Sequence, residues 1–362
     1  MQVILYNSLF FHQKYGGVSR YSSCLLDVFL REGIDVNLIA PIYKSRYLNN
    51  IKNSKIHGIY IPRYPNLNLL QKLNNKIVNY YKKKNSADIV HDFYYSETNQ
   101  ELNKKRIITI HDTIHEKFKD YYKINYLEQR KKIVDQTDIF ICVSQNTKND
   151  FMQYYKISED RIVVIGHGFE HLKNLKEQNF PLNKNLNKPF ILYVGGRYKY
   201  KNFKILIDAF SKIPQIKDNF NIVCYGGENI SKSEFSYFKN LGIEKKIIKL
   251  NGDDILLKNL YKNCKLLVST SEYEGFGLTA LEAVYLNCPV LANDIKVLRE
   301  IYKDSINYYE FNSLDHLIFN LKEILINNNI KTNFTNKKEI LKNNSWEVST
   351  KKTLEIYKSI SD

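Results

Sequence analysis

Lys265-Leu266-Leu267-Val268-Ser269-Thr270-Ser271-Glu272-Tyr273-Glu274-Gly275-Phe276-Gly277-Leu278-Thr279-Ala280-Leu281-Glu282-Ala283 is the most informative stretch of the chain. An apolar strand runs into a loop holding Gly275 and Gly277. A helix built from Leu278, Ala280, Leu281, Glu282 and Ala283 follows at once, and Pro289-Val290-Leu291-Ala292 begins the next strand. Strand, loop, helix and strand in this order form one unit of a parallel α/β sheet. The free N–H groups and dipole at the helix start favour an anion such as a diphosphate. The glycines let a ligand approach the backbone closely. Glu274 and Glu282 bracket this position, and carboxylates accept hydrogen bonds from hydroxyls, which suits a sugar on one side and a ribose on the other. Taken alone, the pair also reads as a helix-start glutamate plus a solvent-facing helix glutamate.

Outward from this stretch the same rhythm repeats. Strands are expected at 190–194 and near 220–225, 246–250, 265–270 and 289–293, with helices between. In the first half they are expected at 2–6, 35–40, 57–61, 87–91, 106–110, 138–143 and 161–165, with helices at 17–31, 66–83, 122–134 and 145–155. Residues 171–189 are rich in Asn and Lys, contain Pro181 and Pro189, and read as a linker. The expected architecture is α/β, with two Rossmann-like domains, 1–170 and 190–345, facing each other across a cleft. Ligands of such sheets sit beyond the carboxyl ends of the strands. The 362 residues fit two domains of roughly 150–200 residues each. With 43% hydrophobic and 25% charged residues the chain can bury sizeable cores, which excludes wholesale disorder. No apolar run reaches the roughly 18–20 residues of a membrane span. Met1–Tyr6 reads as a buried strand, not a signal peptide. The five cysteines are scattered and never spaced C-x-x-C, which fits a reducing cytosol and argues against a zinc site or disulfide framework.

Other loops after strands carry candidate chemistry. Gly195-Gly196-Arg197 through Lys201-Asn202 precedes a helix at 203–212. Arg197 can meet a diphosphate as a fork and Lys201 as a point charge, although the loop also reads as a solvated basic turn. Tyr15-Gly16-Gly17-Val18-Ser19-Arg20 opens the first helix, but it is not G-x-G-x-x-G and no acidic residue completes a dinucleotide fingerprint. This argues against a dehydrogenase. His111-Asp112-Thr113-Ile114-His115-Glu116 follows strand 106–110. Its two histidines fit a metal only if helical, and no third ligand is evident. His111 reads better as a polar residue facing the cleft. The net charge is +16, and AT-rich codon usage accounts for much of it. Residues 41–84 nevertheless hold ten basic side chains and no acidic one. Leu70, Leu73, Ile77 and Tyr80 or Tyr81 recur there at helical spacing. Such a basic amphipathic helix fits an anionic membrane surface or a phosphate-bearing acceptor, against the alternative of a core-packed helix with a solvated basic face. No nucleic-acid-binding module accompanies the charge.

Together and in order, these pieces resemble the retaining glycosyltransferases of family four, which have the two-domain GT-B fold. The resemblance covers nearly the whole chain and looks most like bacterial enzymes of O-antigen, capsule and other surface glycans. Glu274 to Glu282 is similar to the family's E-x7-E element, and Gly195-Gly196-Arg197 with Lys201-Asn202 to its phosphate clamp. Gly16-Gly17-Val18, His111-Asp112, Val143-Ser144 and His167-Gly168 match further landmarks. Trp346 and the last helix resemble the terminal segment, 346–362, that returns to the N-terminal domain. The resemblance implies an N-terminal domain for the acceptor and a C-terminal domain for a nucleotide-diphosphate sugar. Glu282 would hold the ribose, Arg197 and Lys201 the diphosphate, and Glu274 the sugar hydroxyls. Amides at Gly275, Phe276, Gly277 and Leu278 would assist. Gly16 and Gly17 would approach the phosphates, Asp253 of Asn251-Gly252-Asp253 the base, and His111 the reacting end. No D-x-D triplet occurs, so no obligatory metal or other cofactor is expected. The implied setting is cytoplasmic, with peripheral attachment to the membrane. A non-catalytic nucleotide-sugar or glycan-binding protein of the same fold is the alternative. His91-Asp92-Phe93-Tyr94-Tyr95 departs from His-Pro-Thr-Tyr-Tyr of close relatives, on the acceptor side.

Overall fold

A computed structural model describes residues 1–51, 54–64, 67–84, 86–96, 104–122, 124–173, 175, 188–330 and 334–361. The chain forms two compact units. The first is Met1–Gly168 with Asn344–Asp362, and the second is Phe169–Asn343.

The first unit is a seven-stranded parallel sheet in the order β3-β2-β1-β4-β5-β6-β7. Its strands are β1 Val3–Tyr6, β2 Val36–Tyr43, β3 Ile56–Tyr60, β4 Ile89–Asp92, β5 Lys105–Ile110, β6 Ile139–Cys142 and β7 Ile162–Val164. The helices are α1 Leu9–His12, α2 Gly17–Arg31, α3 Leu67–Lys84, α4 Ile114–Lys117, α5 Tyr126–Asp135 and α6 Gln145–Tyr155. Strand β1 shows why the sheet is covered on both faces. Val3 and Leu5 enter a core with Leu25, Phe29 and Tyr357, while Ile4 and Tyr6 enter another with Ile39, Val78 and Val90. Alternate side chains point to opposite faces, so an unbroken apolar run is a doubly buried strand. The helix expected from 122 begins at Tyr126, where Asn125 accepts a hydrogen bond from the Glu128 amide at 3.4 Å.

Helix α3 corrects an expectation. Its buried stripe is Asn74, Val78 and Lys82, while Leu73 and Tyr80 are exposed, and so is Leu69. Lys82 is therefore withdrawn from the basic surface. Its Nζ lies 2.6 Å from Asp92 Oδ1, and Arg106 donates to Asp92 Oδ2 from Nη2 at 2.8 Å. The Asp92 carboxylate is completely buried, and a charge in that position needs cationic partners. Lys52, another of the ten basic residues, lies outside the described residues.

The second unit is a six-stranded parallel sheet in the order β10-β9-β8-β11-β12-β13. Its strands are β8 Phe190–Val194, β9 Asn221–Tyr225, β10 Ile247–Leu250, β11 Leu266–Ser269, β12 Val290–Asn293 and β13 Asn307–Tyr309. The helices are α7 Phe203–Ser211, α8 Pro214–Asn219, α9 Lys232–Asn240, α10 Asp254–Asn263, α11 Leu278–Tyr285, α12 Lys296–Tyr302, α13 Leu314–Leu325 and α14 Phe334–Asn343. Strand β13 has only Asn-Tyr-Tyr and no apolar run to announce it. Most of the expected linker, 174 and 176–187, lies outside the described residues, while Glu170–Leu172 forms a short helical turn of the second unit.

The last helix, α15 Trp346–Ser361, belongs to the first unit and packs against α2. Tyr357 meets His91 Nδ1 at 2.6 Å, and Ser349 donates to the Gly166 carbonyl at 2.7 Å. A Cβ at Gly168 would sit 2.1 Å from the Trp346 backbone nitrogen, so only glycine lets the helix start there.

Candidate active site

The strand order of the second unit reverses between β8 and β11, which makes that point the natural ligand crevice of the sheet. The loops leaving these two strands are stitched together. The Glu272 amide donates to the Tyr200 carbonyl at 2.7 Å, and Thr270 Oγ1 to the Lys201 carbonyl at 2.7 Å. This brings Lys201 Nζ to 2.6 Å from Glu274 Oε1, across 73 positions of sequence. Both side chains keep about a fifth of their surface exposed (21% and 20%), so a ligand can reach the pair.

Gly277 turns the chain into α11 with φ 86°. That conformation disfavours a side chain, and a Cβ would lie 2.5 Å from Leu298 Cδ2. Tyr302 fixes the turn by donating to the Gly277 carbonyl at 2.7 Å. Gly277, the N-cap residue, has no side chain with which to cap this helix start. Gly275 and Leu278 flank the turn, and Phe276 is buried beside it.

Arg197 is held from two directions. Its Nε donates to Glu234 Oε1 at 2.8 Å, and Nη2 to the Glu228 carbonyl at 2.8 Å. Its buried Nη1 has no hydrogen-bond partner among the described residues. The guanidinium is held in place with one N–H group uncommitted, and an anion admitted beside it would meet a donor already oriented. Burial raises the pKa of Glu234, but hydrogen bonds from Arg197 and Ser231 more than offset this and hold it below the usual carboxylate range. The Ser231–Glu234 capping box, legible as S-x-x-E, seats Glu234 at the start of α9. Its pairing with Arg197 has no signal in the sequence.

Glu282 corrects the solvent-facing alternative. It is buried, Tyr261 donates to its Oε2 at 2.8 Å, and His171 Nε2 lies 2.9 Å from its Oε1. Neither Tyr261 nor His171 stands out in the sequence. Asp253 uses its carboxylate to cap α10, accepting from the Leu256 amide at 3.0 Å. Tyr225 donates to the Asp253 carbonyl at 2.7 Å.

The remaining candidates belong to the first unit. Gly16 is extended, and Gly17 opens α2. A Cβ on Gly16 would meet Gln13 Oε1 at 2.1 Å, whereas one on Gly17 would meet nothing within 4 Å. His111 is buried after β5, with Nε2 donating to the Phe93 carbonyl at 3.0 Å. Burial, partly opposed by that bond, pulls its pKa down to about 4, so the ring is neutral near pH 7. His115 lies in α4 and His111 outside it, so the helical i, i+4 metal pair does not form. His115 and Glu116 instead brace Arg130, at 3.2 and 2.7 Å. The site residues thus fall into two groups, with Gly16, Gly17 and His111 in one unit and the cations, acids and α11 start in the other.

Two family descriptions tile the chain: "Glycosyltransferase Family 4" over residues 15–171 and "Glycosyl transferases group 1" over 174–341. Two uncharacterized glycosyltransferases of Methanocaldococcus jannaschii are 29% and 27% identical. The first alignment takes in 60% of this chain but only 59% of that relative, and the second takes in 91% of both. The O-antigen chain mannosyltransferase B of Escherichia coli is 22% identical over 70% of each chain. The solved structure of Anabaena HepE in complex with UDP-glucose shares the fold at TM-score 0.74 and 18% identity, over 99% of this chain and all of that one. With its two parallel-sheet units in that order, the chain belongs to the family-four glycosyltransferases and has their GT-B fold.

Proposed function

We propose that this glycosyltransferase moves a hexose-type sugar from a nucleotide-diphosphate donor to a glycan or lipid-linked acceptor in cell-surface polysaccharide synthesis, with retention of configuration. The observation that carries the reading is the Lys201–Glu274 pair at the switch point of the second unit, beside the prepositioned Arg197 and the start of α11. In the unliganded pair the carboxylate holds the lysine. A diphosphate offers Lys201 a stronger partner and frees Glu274 for sugar hydroxyls. The diphosphate gains charge as the glycosidic bond breaks, and Arg197, Lys201 and the helix start stabilise it there. The departing phosphate takes the acceptor proton on the same face. Charge stabilisation by two side chains requires no metal, and the absence of D-x-D fits this. Relatives named for O-antigen synthesis support the surface-glycan setting.

The chain works at an anionic membrane surface. Among the described residues no helix is long and apolar enough to cross a membrane. Leu69, Leu73 and Tyr80 are exposed on α3, opposite its buried stripe and beside exposed Lys72, Lys76 and Lys83. Apolar side chains within a ring of lysines fit an interfacial helix.

Thermal-shift measurement with UDP, GDP, dTDP, CDP and ADP, with and without EDTA, tests the donor site. Stabilisation by one nucleoside diphosphate, unchanged by EDTA and weakened by Arg197→Ala, is expected. No shift with any of them refutes the reading. Vesicle binding that needs anionic lipid and falls in Leu69→Ser/Leu73→Ser is expected for the surface. Equal binding to neutral vesicles overturns it.

A further inference from the structure

The first unit has its own switch point, between β1 and β4. A cavity of about 560 Å³ opens there, within the usual range of roughly 300–1,000 Å³ for small-molecule sites. The segments leaving both strands line it, with Ser8, Leu9, Phe11 and His12 after β1 and Tyr94 to Ser96 after β4. Helices α3 and α5 complete its walls.

Its chemistry is specific. From α3, Gln71, Asn75 and Asn79 reach the cavity at four-residue spacing, so three primary amides stand in a row about 6 Å apart along one helix face. Each offers both donors and an acceptor, which matches a sugar hydroxyl that donates and accepts at once. The rings of Phe11, Tyr94 and Tyr126 supply apolar faces against which the C–H side of a pyranose can pack. The one arginine among the described lining residues is already neutralised. Arg130 Nη1 donates to fully buried Glu116 at 2.7 Å, and its guanidinium lies 4.0 Å from the Tyr95 ring centre. The lysines of α3 lie elsewhere, with Lys72 and Lys76 on its exposed side and Lys82 buried on Asp92. An anionic ligand would thus find amide and hydroxyl donors here but no uncommitted cation from α3 or α5 to offset its desolvation.

We propose that this cavity seats an uncharged saccharide unit, the receiving end of the acceptor, and that the Gln71-Asn75-Asn79 row selects neutral sugars over acidic or phosphorylated ones. As the acceptor end of a transfer, the inference rests on the proposed function.

The test uses saturation-transfer NMR on the full chain with methyl glycosides of mannose, glucose, galactose and N-acetylglucosamine, and with glucuronic acid and glucose 1-phosphate as anionic counterparts. Gln71→Ala/Asn75→Ala is the variant, since both positions are only partly buried and alanine favours a helix. At least one neutral glycoside is expected to bind, with roughly tenfold weaker affinity in the variant, as the loss of two hydrogen bonds predicts. The nucleoside-diphosphate thermal shift should be the same in both proteins. Binding that the variant leaves intact, no binding by any glycoside, or equal binding of the anionic sugars overturns the proposal. If the glycoside result holds but no nucleoside diphosphate binds, the transferase reading fails and the saccharide site stands.

Discussion

Replacing Asp92 with asparagine tests how the first unit is held together and how that support reaches the cavity wall. Asp92 is completely buried at the end of β4, Lys82 contacts one oxygen, and Arg106 contacts the other through Nη2 at 2.8 Å and Nε at 3.1 Å. Arg106 also donates to the Ser96 carbonyl at 2.9 Å, so the cluster anchors the Tyr94–Ser96 segment. Asn removes the charge and turns an N–H donor toward a cation, leaving two buried cations without a counter-ion. Breaking a buried pair in this way costs about 3–5 kcal/mol. In a unit of nearly 190 residues this lowers the midpoint by roughly 10 °C. Trp346 is the only tryptophan and is buried in this unit, so its fluorescence reports the transition directly. A shift below about 2 °C refutes the reasoning, because it corresponds to less than about 1 kcal/mol. The same cluster has a signature in pH. Burial pulls the Lys82 pKa down to about 8, despite the pull of Asp92, from 10.5. Between pH 8 and 10 the unfolded chain therefore binds more protons at this lysine than the folded one. Its contribution to stability rises with pH by about 1.4 kcal/mol per unit. Lys82→Met removes that slope, and an unchanged slope in urea titrations at pH 8 and 9.5 counts against the assignment.

Three further outcomes are expected. Arg197→Lys keeps a charge but cannot hold Glu234 and Glu228 and still present a free N–H, so kcat for transfer falls by roughly 10²–10³, as when a prepositioned donor is removed; activity within a few-fold of the wild type would show that the fork is not used. Tyr261→Phe leaves a buried Glu282 oxygen short of a donor and destabilises the second unit by about 1–3 kcal/mol, while Tyr261→Phe with Glu282→Gln loses less than the sum of the two, as a double-mutant cycle of urea unfolding can check. In the first unit, burial pulls His91 down to about 3 and His111 to about 4, from 6.5; below pH 6.5 the unfolded chain takes up two protons that the folded one refuses, so stability falls by about 2.7 kcal/mol per pH unit toward pH 4, and His111→Gln halves that slope.

The sequence by itself determined the alternation of strands and helices and the α/β class. It also exposed the two loops that carry Arg197, Lys201 and Glu274, and the helix after the second loop that carries Glu282. These features are local: apolar runs of strand length, glycines at turns, and helix starts placed directly after strands. Tertiary structure decided everything that depends on which residues meet. Lys201 and Glu274 become neighbours only because β8 and β11 are adjacent strands. Glu282 is buried because Tyr261 and His171, from distant segments, supply its hydrogen bonds. Spacing alone marked Leu73 and Tyr80 for the apolar face of α3 and left Asn74 and Lys82 as polar residues, yet the buried stripe is Asn74, Val78 and Lys82. Helical period identifies which residues share a face, but the partner of that face is chosen by the rest of the sheet. Here Asp92 at the end of β4 drew a lysine inward and left leucines at the surface.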